Sequence, residues 1–197
     1  MPESVPHAQR HAPSLEQEEL RGISRTVAEI EWLLLILVLV YMVFGWPIAE
    51  GEPALSMAMF FFAAFVMSFR YANFYKHESR WKIAVETLAM IAFITWVLWF
   101  TGGLASPLVN AYLLVVITSA LTLGKTVTLV EVALIGACYL FLDSQVGGKD
   151  LLRLPYWGNY VAQLAPVLLV AYITTMFSAD IRYGLNRAKL LSETDDL

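Results

Sequence analysis

Two acids lie where acids are costly. Glu131 stands five residues into an apolar run that begins at Thr126, and Glu86 about four residues into another. At 1.5 Å per residue both fall roughly 6–7 Å inside their helices. A charge at mid-membrane costs about 2.5–3.5 kcal/mol on insertion scales, so such an acid is either paired near the interface or functional. Pairing would use Arg70, Lys82 or Lys125; a signal relay would use Thr118 and Thr122 as partners for Glu131. A second set is neutral. Gly102 and Gly103 would admit a ligand close to backbone amides. Ser106 and Pro107 open the following helix, whose free amides favour a carbonyl or anionic oxygen. Asn110 and Gln163 supply neutral amides, Pro166 frees the carbonyl of Ala162, and Trp96, Trp99 and Phe100 share a face that could wall a pocket. The same residues also serve as ordinary helix caps, kinks and packing amides.

These residues need elements to hold them, and composition says which. Of 197 residues 58% are hydrophobic and 15% charged, with a mean hydropathy of +0.62. A water-soluble domain of this size has too much surface to hide that apolar content. A bilayer solvates it directly. Six stretches approach the roughly 20 residues of a span: Val27–Pro47, Ala54–Phe74, Ile83–Phe100, Pro107–Leu123, Thr126–Leu142 and Asn159–Ser178. All 13 Lys and Arg except Lys149 and Arg153 fall on one side of that alternation, which predicts both termini in the cytoplasm. Trp46, Trp99, Tyr156 and Trp157 mark the outer boundary, Tyr75 and Trp81 the inner one. The expected fold is an all-α membrane protein, a bundle of six transmembrane helices with a C-terminal cytoplasmic signalling helix. Residues 1–26 form a cytoplasmic tail, 27–178 the bundle and 179–197 the helix leading out.

Several chemistries find no residues. The net charge of -4 offers no basic field for nucleic acid. Cys138 stands alone, so neither a disulfide nor a cysteine-based zinc site is expected. His7, His11 and His77 all lie outside the spans, against a haem held between membrane histidines. No nucleophile–base pair or phosphate loop is visible, so no catalytic residue and no metal ligand is assigned.

Ile181, Gly184, Ala188, Leu191 and Asp195 follow one another at alternating steps of three and four, a weak heptad that would suit either a solvated tail or a signalling helix. Thr194, Asp195 and Leu197 then match the Thr-Asp-x-Leu-Thr-Gly-Leu-x-Asn-Arg run that opens the GGDEF catalytic domain; the chain resembles the membrane sensor part of a GGDEF diguanylate cyclase. The resemblance implies a missing output domain after Leu197. Thr101–Leu108 resembles the Gly-Gly-x-x-Asn-Pro-Phe loop of six-span redox-sensing histidine kinases, with Ser106 for Asn and Leu108 for Phe. That resemblance implies quinone sensing. The sequence therefore predicts a multi-pass, homodimeric sensor in a bacterial inner membrane. Its partners are the bilayer and a small lipophilic ligand, quinone among the candidates, with no bound cofactor. Glu86, Glu131, Ile181, Ala188 and Leu191 are the candidate relay. The alternatives are the sensor part of a histidine kinase and a small membrane transporter.

Overall fold

The computed structural model describes residues 15–44, 53–71, 80–145 and 154–195. It contains α1 (Leu15–Phe44), α2 (Pro53–Tyr71), α3 (Arg80–Phe100), α4 (Ala111–Thr122), α5 (Lys125–Gln145) and α6 (Leu154–Asp195). Two 3-10 turns, Gly103–Ala105 and Pro107–Asn110, join α3 to α4. No strand occurs among the described residues. Among the described residues four helical segments are long and apolar enough to cross a membrane: Arg25–Phe44, Trp81–Phe100, Lys125–Ser144 and Tyr160–Asp180. The apolar stretches Pro53–Phe69 and Pro107–Thr122 are shorter; the second rises about 24 Å against a hydrocarbon core of about 30 Å.

The short helix is the centre of the bundle. α4 packs against α1, α3, α5 and α6. Ala111, Tyr112, Val115, Val116, Thr118, Ser119 and Ala120 are all buried. The outer helices bury one stripe each: Val27, Glu31, Leu34, Leu35 and Val38 on α1, and Leu164, Val167, Ala171 and Ser178 on α6. These spacings of three and four residues form one helical face. The opposite faces are equally apolar, with Phe44, Phe60, Phe61, Val130 and Phe177 exposed. In a bilayer no hydrophobic force separates the two sides, so small residues and close packing fix each helix's rotation.

Two contacts show this. Phe62 of α2 stacks on Phe93 of α3 with ring centroids 4.2 Å apart and planes within 6°. On the other side, the Tyr160 hydroxyl donates to the Gly136 carbonyl at 2.7 Å, tying α6 to α5. A Cβ at Gly136 would sit 3.2 Å from that hydroxyl and 3.7 Å from a methyl of Leu164. Gly136→Val is therefore expected to push α6 off α5 and to destabilise the bundle by about 1–3 kcal/mol, read as an earlier midpoint in detergent-titrated unfolding. A midpoint equal to wild type would mean that α6 does not rest there.

The helix ends follow their residues. Gly102 and Gly103 have φ of +101° and +62°, and Gly124 +86°, conformations that cost L side chains energy and glycine little. They turn the chain after α3 and after α4. The first helix is longer than its predicted span: α1 takes in residues 15–26, which the sequence reading assigned to the tail. Met1–Ser14, Trp46, residues 72–79 and the segment with Gly147, Gly148, Lys149 and Arg153 lie outside the described residues. α6 runs unbroken past Pro166 to Asp195. Ile181, Ala188 and Leu191 fall on its last stretch, with their side chains outside the described ones; Asp196 and Leu197 lie outside as well.

Candidate functional site

The loop after α3 is held from within. Thr101, 2% exposed, places its hydroxyl 2.9 Å from the Val97 carbonyl and 3.1 Å from Ser106 Oγ. Ser106, also buried, accepts a bond from the Leu108 amide at 3.3 Å and caps the turn that Pro107 begins. The amides of Ala105, Ser106 and Val109 donate to Gly102, Gly103 and Ser106 carbonyls at 3.1–3.3 Å. These amides are therefore not open to a ligand oxygen, contrary to the cradle expected around Ser106. Gly103 is buried and left-handed, so both glycines serve the turn.

Beneath this loop the structure brings together the residues that were expected to share a pocket on the amide side. Asn110, Gln163 and Pro166 line one cavity with Leu104, Val109, Leu113, Tyr139 and Val167. Its volume is about 70 Å³, under half of the roughly 150 Å³ that holds a benzene ring. As built it admits a few water-sized groups; a quinone ring enters only if α4 and α6 part. Asn110 and Gln163 are both exposed at the rim, where amides can orient a carbonyl or hydroxyl without adding charge.

Trp96 and Trp99 do not wall this cavity. They turn to the other side of α3 and line, with Phe100, Thr95, Cys138 and Phe141, an open apolar groove of about 580 Å³ between α3 and α5. Trp99 rests on Phe141 with centroids 5.0 Å apart. The three-and-four spacing put the two tryptophans on one face correctly. It carried no information about which neighbour that face meets. A third groove, of about 450 Å³, lies between α1 and the start of α4 and includes Tyr41, Phe44, Pro107 and Asn110.

The acids lie deep. Glu131 is 2% exposed and Glu86 6%. Glu86 sits 3.9 Å from Lys82 one turn back, the interfacial pairing that its position suggested. Glu131 pairs with no cation among the described residues. Thr87 of α3 donates to its Oε1 at 2.6 Å. The expected partners do other work: Thr118 bonds the Leu114 carbonyl and Thr122 the Thr118 carbonyl, both at 2.7 Å. They bond back to carbonyls of their own helix. Helix back-bonding by threonine is common and competes with such contacts.

The sequence reading missed several members of the interior. Glu31 is 3% exposed on α1; it stands within the expected span Val27–Pro47 on the stripe Val27–Leu34–Val38, a signal that the spacing carried. Tyr112, fully buried in the first turn of α4, shares a hydrogen bond of 2.7 Å with Thr95 and packs on Tyr139 at 5.6 Å between centroids. No three His, Cys, Asp or Glu side chains gather closely enough to hold a metal among the described residues. Compared with protein-family models, with curated proteins and with solved structures, the chain matches none.

Proposed function

We propose that the chain is a membrane-embedded sensory module that passes a signal through α6 to a cytoplasmic output domain, a diguanylate cyclase domain by the resemblance at Thr194, Asp195 and Leu197. The observation that carries this reading is α6 itself. It is one helix of 42 residues, about 63 Å long, whose apolar stretch ends at Asp180 and whose remainder continues to Asp195. A rigid rod that borders the Asn110–Gln163 cavity at one end and leaves the apolar stretch at the other can transmit a shift. In this reading all six helices cross a bacterial inner membrane, α2 and α4 as short spans, and both termini are cytoplasmic. The ligand is a small lipophilic or amphipathic molecule with a neutral polar headgroup, and two copies place their α6 extensions side by side.

Residues 1–197 joined through a continuous helix to a GGDEF catalytic domain should produce cyclic di-GMP from GTP. Asn110→Leu and Gln163→Leu should each change that output severalfold in protein that still inserts. These positions are preferable to Gly103, whose left-handed, buried backbone makes any substitution a folding defect. Output equal to wild type in both variants would take the cavity out of the signalling path. Reading the frame past Leu197 tests the output domain: a Thr-Gly-Leu continuation leading to a GGDEF motif is expected, and a phospho-accepting histidine would assign a kinase instead.

A further inference from the structure

Glu131 stands in the bundle's interior among hydroxyls drawn from three helices. Thr87 of α3, Ser119 of α4, and Thr128 and Glu131 of α5 are each at most 2% exposed. Thr87 bonds Glu131 Oε1 at 2.6 Å, and Ser119 and Thr128 hydroxyls lie 3.3 Å apart. Thr128 and Glu131, three residues apart on α5, lie on one face of that helix. Yet Oε2 is buried with no hydrogen-bond partner. A buried carboxylate oxygen with neither donor nor cation is costly in an apolar medium. Lys82 faces Glu86, and Lys125 is exposed at the start of α5.

We propose that Glu131 Oε2, with the Thr87, Ser119 and Thr128 hydroxyls, binds one sodium-sized monovalent cation. The donors are all hard oxygens, the ligands that alkali and alkaline-earth ions select. Charge decides between those two classes. One carboxylate and one monovalent ion sum to zero, whereas a divalent ion would leave a net positive charge in a low-dielectric interior. A divalent ion would also ask for further carboxylates, and no group of three acids gathers among the described residues. The site links α3, α4 and α5, so the bound ion would clamp the end of the bundle where α4 turns at Gly124. It stands independently of what the Asn110–Gln163 cavity binds.

The test uses the full chain in lipid nanodiscs at fixed pH and ionic strength, with choline exchanged stepwise for sodium. The thermal unfolding midpoint should rise with sodium and keep rising with the logarithm of its concentration above the dissociation constant. Glu131→Gln, nearly isosteric, should abolish the shift, and Thr128→Val should move its onset to higher sodium. In wild-type protein, sodium should also slow modification of Glu131 by dicyclohexylcarbodiimide, followed by mass spectrometry, and choline should not. Equal midpoints in sodium and choline would overturn the assignment. So would a sodium shift retained in Glu131→Gln, or modification indifferent to sodium, which would leave Glu131 as a simple buried acid.

Discussion

Tyr112→Ala is expected to destabilise the bundle by about 3 kcal/mol, the lower end of the range for emptying a buried aromatic site. The lower end applies because lipid, not water, is the alternative surrounding for much of this chain. The hydrophobic transfer contribution therefore shrinks, while the lost dispersion contacts remain. Tyr112 has no exposed surface and sits in the first turn of the helix that packs against α1, α3, α5 and α6. Its removal opens a void beside Thr95 and Tyr139. Tyr112→Phe keeps the ring and loses only the 2.7 Å bond to Thr95, at a cost of about 1 kcal/mol. Thr95 retains its own bond to the Ile91 carbonyl at 2.7 Å, so it is not stranded. Detergent-titrated unfolding followed by tryptophan fluorescence separates the two variants. An alanine variant as stable as the phenylalanine one would mean that the space relaxes closed and that α4 is not the structural centre.

That centrality could not be read from residue order. Pro107–Leu123 has the same apolar character as its neighbours, and a stretch shorter than the bilayer gives no hint that four helices wrap it. The elements themselves were legible because span length, caps and turn glycines are local signals. Ser106 caps and Pro107 starts the turn before α4 as expected, and α5 was placed at Thr126–Leu142 against Lys125–Gln145. Asn110, Gln163 and Pro166 line one cavity, a proximity legible in sequence because neutral amides amid apolar runs must find something polar to face. Trp96 and Trp99 share a face as expected but line a different groove, because an aromatic face is at home against lipid, helix or ligand alike. Glu131 was recognised, but its threonine was not: Thr87, Thr118 and Thr122 look identical in sequence, and only the rotation of α3 decides that Thr87 points inward.

If α6 relays a signal as proposed, inserting two alanines after Asp180 of the chain joined to a GGDEF catalytic domain is expected to uncouple the output from the membrane bundle, and inserting seven to preserve coupling. Two residues rotate everything beyond the insertion by about 200° and lengthen α6 by about 3 Å. Seven residues lengthen it by about 10 Å but return the face to within roughly 20° of its original direction. The two insertions therefore separate phase from reach. If α6 transmits by presenting one face of its cytoplasmic stretch to a partner helix, phase is what matters. The readout is the ratio of cyclic di-GMP output between wild-type bundle and Gln163→Leu, measured in each insertion background. A coupling free energy of about 1–3 kcal/mol corresponds to roughly 5–150-fold in that ratio. It should collapse to about one in the two-residue background and survive in the seven-residue one. Coupling that survives both insertions would make the stretch from Ile181 to Asp195 a tether instead of a rod, because a tether is indifferent to the direction its residues face. Coupling lost in both would place the transmission in a contact fixed by distance from the membrane, and α6 would then act by its length and not by its rotation.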